Sequence, residues 1–328
     1  MIQTVSVKWR FLVATAVLGL AACAPHANTP TISPMIRIPN AINVERAAAV
    51  PGTIPALVLT GFKTIYLLNA QDQQIGQITS PGQWGEVAMD RQGDIYYDSG
   101  QQYAGDIFIY APPYTGKPQD ISFSGIGYTR GIEVDWKTGV FALTTDSYPE
   151  IDYKGGVFFF RHGQTAKCAS LQVPNGFAWD ATGTFDKEGT LFVAGGSGST
   201  ETIISAAGQC SANALVYYTP NVAYVGRLQF NTKDELVIDE NDGFDDAPIV
   251  TYPHPSNGEL GSPIHTTKLQ EIDGRPVSLD SLTSDGNHLW ATNGYGKVAL
   301  YNYPQGGAPI KVLNNRSGDG TVYPPPIP

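Results

Sequence analysis

The run Asp239-Glu240-Asn241-Asp242-Gly243-Phe244-Asp245-Asp246 places five carboxylates among eight residues. Oxygen donors at that density suit a hard cation such as Ca2+, with Asp239, Asn241, Asp242 and Asp245 as the ligands. Gly243 falls one place early for the helix-flanked calcium loop, which needs its glycine at the sixth position, so a solvated acidic loop is the competing reading. Other chemistries find little support. The chain has no G-x-S-x-G, and Cys168 and Cys210 fall in apparent strands with no His nearby in sequence. His26, His162, His254, His265 and His288 lack the close spacing of a metal motif. Gly195-Gly196-Ser197-Gly198-Ser199 does not match a phosphate loop.

The elements that carry these residues are short. Of 328 residues only 15% are charged, whereas Gly (36) and Pro (24) are plentiful, which predicts an all-β chain of many strands joined by turns. Apolar residues make up 42%, enough for a packed core. The formal net charge is −10. Phosphate binding needs a basic patch, so nucleic acid and anionic lipid surfaces are disfavoured as partners. A monomer is expected.

The N-terminus carries Lys8 and Arg10, then the apolar run Phe11 to Leu20, then small residues. This is the pattern of a secretory signal, too short to span a bilayer in the mature protein. Leu20-Ala21-Ala22-Cys23 resembles the bacterial lipoprotein box, which implies cleavage after residue 22 and a diacylglyceryl group on the Cys23 thiol. Ala24 in place of Asp implies delivery to the outer membrane of a Gram-negative host. Removing Lys8 and Arg10 with residues 1–22 leaves 18 bases against 30 acids, or −12. Residues 23–52 lack strand alternation and read as a flexible tether, which fully extended reaches on the order of 100 Å. The folded domain is expected over 53–328. Export permits Cys168 and Cys210 to pair. They occupy similar places in successive repeats whose outer edges should splay, so a disulfide and two separate thiols both stand open.

The repeat fixes the architecture. Trp84-Gly85-Glu86-Val87-Ala88-Met89-Asp90 aligns with segments ending on Asp135, Asp186, Asn231 and Ser284, at spacings of 45, 51, 45 and 53 residues. A turn and a β-rich strand follow each anchor, as in Ile95-Tyr96-Tyr97 or Leu191-Phe192-Val193. Further apolar strands complete most units. Four strands per unit of about 45 residues is propeller spacing, because a small sheet buries both faces only by stacking on its neighbours. Five units are complete. Residues 56–78 match only the last three strands of a sixth, and Thr321-Val322-Tyr323 is expected to supply its first. Six blades are predicted, with seven as the alternative.

These units are similar to the NHL-type propellers, over roughly residues 55 to 315. The chain also resembles the gluconolactonase and regucalcin family of six-bladed enzymes in Pro174-Asn175-Gly176-Phe177-Ala178, in Leu279-Asp280-Ser281-Leu282-Thr283 with the following Gly286 to Trp290, and in Trp84-Gly85-Glu86. That resemblance implies a divalent cation in the central tunnel held by Glu86, Asn175 and Asp280, with a lactone or sugar derivative as substrate. The same Asn and Asp also fit blade turns, where such side chains bond nearby backbone. The expected function is a non-catalytic binding module of the cell envelope, with a protein, glycan or small molecule as ligand. The alternative is a cation-dependent hydrolase.

Overall fold

The structure is a computed structural model that describes residues 54–327 apart from 83–84, 101–104, 123, 125, 127, 149–152, 172–178, 197–201, 219–224, 241–247, 315 and 317–319. The leader, Cys23 and the tether lie outside the described residues, as do Asn175, Asn241, Asp242 and Asp245. The described residues form 24 strands and no helix. The strands assemble into six four-stranded antiparallel sheets, the blades of a six-bladed β-propeller.

Five blades take four consecutive strands each, beginning with β4 (Val87–Met89), β8 (Thr129–Val134), β12 (Trp179–Phe185), β16 (Arg227–Phe230) and β20 (Ser278–Leu282). The first blade is assembled from both ends of the fold, in the order β24 (Gly320–Val322), β1 (Leu57–Gly61), β2 (Thr64–Leu68) and β3 (Gln74–Thr79). Leu57 pairs with Val322, Val58 with Thr321 and Leu59 with Gly320. The C-terminal segment thus supplies the missing strand, one residue earlier than 321–323. The innermost strands touch in the closed series β24, β4, β8, β12, β16, β20 and back to β24. Closure leaves the inner strands no free edge to pair with another chain.

The core is divided among the six junctions between blades. Tyr97 joins Val58, Ile65, Leu67 and Val87 between the first and second blades. Its neighbour Tyr96 points the other way and packs with Phe141, Leu143 and Phe160 of the third. Because side chains alternate along a strand and both faces of a blade are covered, β5 (Ile95–Asp98) is buried at every position. This is why the second strands read as continuous apolar runs. The last junction joins Trp290 and Val298 of the sixth blade to Leu57, Leu59 and Val322 of the first.

The repeating anchor is an Asx turn. Asp90 Oδ1 accepts the N–H groups of Gln92 and Asp94, both at 2.9 Å. Asp186 Oδ1 accepts those of Glu188 (2.9 Å) and Thr190 (2.7 Å). Asn231 Oδ1 does the same for Lys233 (2.9 Å) and Glu235 (3.0 Å). Asp135 takes Lys137 and Thr138. Each side chain satisfies backbone donors that a tight turn would otherwise strand. In the sixth blade the anchor is Thr283, not Ser284: its N–H donates to His288 O as Asp90 does to Asp94 O. The Asx role passes to Asp285, which accepts the Asn287 N–H at 3.0 Å.

Candidate functional site

The propeller has a turn face, which carries the connections from first to second strands, and an opposite loop face, where the second strands end. Glu86 immediately precedes β4, and its N–H donates to Asp98 Oδ1 at 3.0 Å. Asp280 is fully buried within β20. The inner strands β4 and β20 stand on either side of β24, so the two carboxylates belong to blades that are not neighbours. Asp239 ends β17 (Leu236–Asp239), is fully buried, and accepts the Leu279 N–H of the next blade at 2.7 Å. Its carboxylate is a fastener between blades. Asp146, two residues before the end of β9 (Phe141–Tyr148), accepts Arg130 Nε at 2.5 Å. Burial raises the pKa of Glu240, while the Tyr252 hydroxyl donating at 3.1 Å pulls it back. Among the described residues, Glu86, Asp239 and Asp280 join no cluster of three metal-ligating His, Cys, Asp or Glu side chains.

The central tunnel holds a cavity of about 100 Å3 at the turn face, lined by β4, β8, β12, β16 and the C-terminal Thr321 and Pro325 to Ile327. Its polar lining includes Glu133, Gln229 and the 6% exposed Arg227. Gln229 Oε1 accepts the Leu282 N–H at 2.6 Å, tying β16 to β20. The C-terminal tail is held beside it: the Tyr323 ring meets Trp136 edge-on at 5.2 Å, and its hydroxyl donates to Arg91 O at 3.1 Å. Ligand pockets usually occupy about 300 Å3 or more, so this space suits water or a very small ligand.

A second set of polar groups repeats around the turn face, where the anchors Asp90, Asp135, Asp186 and Asn231 each meet a residue just past the third strand of the next blade. Past β10 (Tyr153–Phe160), His162 Nδ1 lies 3.3 Å from Asp90 Oδ2. Past β14 (Thr202–Gly208), Gln209 Nε2 donates to Asp135 Oδ2. Past β18 (Ile249–Tyr252), His254 Nε2 lies 3.2 Å from Asp186 Oδ2. Past β22 (Lys297–Asn302), the Tyr303 hydroxyl bonds to Asn231 and to Thr251 Oγ1. Two of these junctions bring together three metal-ligating side chains: Asp90, Asp94 and His162, and Asp186, Glu188 and His254. In the first, burial and then the Asp90 charge raise the Asp94 pKa, partly offset by His162. These histidines carry no motif in the sequence, since each partner lies a whole blade away. The one available signal was position, two residues beyond a third strand.

The loop face exposes two aromatic rings on adjoining blades. Phe62, in the turn between β1 and β2, is 59% exposed. Tyr295, between β21 (His288–Thr292) and β22, is 66% exposed and has the Arg275 guanidinium 3.8 Å from its ring centre. Arg316 links the same two blades. Its N–H donates to Gly296 O at 3.0 Å, its Nη2 donates to Gln74 Oε1 at 2.6 Å, and its guanidinium lies 3.8 Å from the Tyr66 ring centre. On the outer wall, Cys168 in β11 (Lys167–Leu171) is bonded to Cys210, with Cα atoms 5.4 Å apart. Cys210 sits in the turn before β15 (Leu215–Tyr218), at φ 52°, and not in a matching strand. That turn reaches back across the junction that was expected to splay.

No protein-family model matches the chain, and no curated protein matches it in sequence. Solved structures share its fold. A protein of unknown function from Bacteroides caccae superposes with a TM-score of 0.56 at 12% identity, covering 80% of this chain and 96% of that one. A functionally unknown protein from Desulfotomaculum acetoxidans gives 0.50 at 8% identity, covering 82% and 98%. A chain of a mitotic checkpoint complex gives 0.50 at 15% identity, covering 92% and 88%. At these identities the likeness extends to the propeller alone.

Proposed function

We propose that this protein is a binding module of the bacterial cell envelope, exported by its N-terminal signal, anchored through lipidated Cys23, and facing its partner with the loop face of the propeller. The observation that carries the reading is the exposure of two aromatic rings, Phe62 and Tyr295, on the loop face of adjoining blades, each with a cation at its ring, Lys63 and Arg275. Tyr and Arg are among the residue types that dominate binding energy in protein interfaces. Cations beside aromatic rings add electrostatic attraction. Rigid blades hold the two rings, and the long tether lets them reach away from the bilayer.

The test uses the full chain in its own host. Wild-type protein and a Phe62→Asp/Tyr295→Asp variant are recovered from envelope extracts with equal folded content, checked by thermal unfolding. A partner retained by the wild type and lost from the variant supports the reading. A partner retained equally by both sinks the assignment of the face. In parallel, Cys23→Ser should move the protein from the membrane to the soluble fraction, and continued membrane association would refute the anchor.

A further inference from the structure

We infer that the junction of the fourth and fifth blades binds a divalent transition-metal ion of the zinc class, through Asp186, Glu188 and His254. His254 Nδ1 lies 3.0 Å from the Pro255 carbonyl oxygen, which only accepts, so Nδ1 carries the ring hydrogen. In the neutral ring Nε2 is then a bare lone pair. It points at Asp186 Oδ2 at 3.2 Å and has Asp234 Oδ2 at 4.0 Å. Acceptor faces acceptor, which is unfavourable unless a positive charge lies between.

The junctions at Asp90, Asp135 and Asn231 do not have this conflict. Asp90 Oδ2 receives the Tyr96 hydroxyl at 3.0 Å. Asp135 Oδ2 receives the Gln209 amide. Asn231 brings an amide in place of the carboxylate and hydrogen-bonds the Tyr303 hydroxyl. Each of these contacts is made through a hydrogen on a neutral group.

The Asp186 site is also built for an ion. A ring N–H given to a backbone carbonyl, with the other nitrogen turned towards carboxylates, is how a metal-bound histidine is oriented. The ring is held in place, stacked on Phe230 at 5.3 Å and edge-on to Phe192 at 5.6 Å. Asp186 is fixed by its Oδ1 bonds to the turn, so Oδ2 is committed to the junction. Around tetrahedral zinc with bonds of about 2.0 to 2.1 Å, neighbouring ligand atoms stand about 3.3 Å apart, close to the 3.2 Å between Nε2 and Oδ2. Glu188 brings a third donor, with all ligand atoms within 4.8 Å of one another. Three carboxylates, Asp186, Glu188 and Asp234, gather here, with the Lys187 ammonium 3.0 Å from Asp234 Oδ2 and the Lys137 ammonium on the Lys187 carbonyl oxygen. Both ammonium groups leave the Asp186 Oδ2 edge to His254. One imidazole with two carboxylates is a borderline donor set suited to zinc and its neighbours, not to calcium. An ion here clamps the fifth blade to the fourth.

Zinc is titrated into the full chain and followed by calorimetry and thermal unfolding, with calcium as a control ion. His254→Phe keeps a ring on Phe230 and removes both nitrogens. The expected result is zinc binding with a midpoint rise of about 5 °C at a hundredfold excess over the dissociation constant, absent in His254→Phe and kept in His162→Phe. Glu188→Gln should weaken binding by more than about tenfold, a loss that even an outer-shell change can bring. No zinc-dependent rise in the wild type, or an equal rise in His254→Phe, overturns the proposal. So does nitrogen NMR showing both His254 nitrogens protonated in the presence of zinc, since the positive charge is then a proton.

Discussion

Replacing both Cys168 and Cys210 with alanine removes a covalent tie between the third and fourth blades. The half-cystines are 42 residues apart in sequence. The loop-closure entropy released to the unfolded chain corresponds to about 4 kcal/mol. Both sulfurs pack against the cluster of Ala142, Val157, Phe159 and Leu191, so alanine also loses a little apolar contact. In a domain of this size the combined effect lowers the melting midpoint by roughly 10 °C. Thermal and urea unfolding of the oxidised wild type and the double variant measure it, with thiol titration of the folded protein as the covalent check. An unchanged midpoint, or two free thiols at these positions in the oxidised folded protein, would refute the reasoning that this turn spans the junction.

Three further outcomes follow from the geometry. Asp239→Ala leaves the buried Leu279 N–H without the carboxylate it uses and should cost about 2 to 3 kcal/mol in urea unfolding, whereas Asp239→Asn, which keeps an acceptor oxygen, should cost less. Gly306→Ala forces a side chain into a left-handed turn (φ 67°) against Lys268 O, and differential scanning calorimetry should show a loss of about 2 kcal/mol or more. Burial holds Tyr301 up to about 12 and also raises Tyr96, Tyr110, Tyr114, Tyr252 and Tyr303. Unfolded tyrosine ionises near pH 10, so the folded state keeps protons that the unfolded state loses. The urea midpoint should therefore fall as pH rises from about 10 towards 12, and less steeply in Tyr301→Phe.

The propeller was legible because each blade repeats the same local solution, a buried inner strand ending on a side chain that closes its own turn. Asp90, Asp135, Asp186 and Asn231 show that solution in sequence. Ser284 misled by one position because Thr283 and Asp285 divide between them the work that one Asp does elsewhere. The closing strand was also visible, as an apolar segment without a unit of its own. What could not be read was contact between blades. His254 meets Asp186 across 68 residues, and Gln209 meets Asp135 across 74. The residue at that place is His, Gln or Tyr, so the common property is hydrogen bonding and not residue type. The acidic run shows the reverse failure: Asp239 looks like a loop ligand in sequence, yet as the last residue of a strand it is buried and holds the neighbouring blade.

If the loop face meets a partner, the most direct measurement is photocrosslinking in living cells from a photoreactive residue placed at position 295, compared with one at the exposed Gln305 between β22 and β23 (Lys311–Asn314), on the other face of the sixth blade. Discrete adducts from position 295, absent from 305 and reduced by Phe62→Asp, are the expected result. Adducts from 305 alone, or none from 295 when the protein is folded and membrane-held, would contradict it.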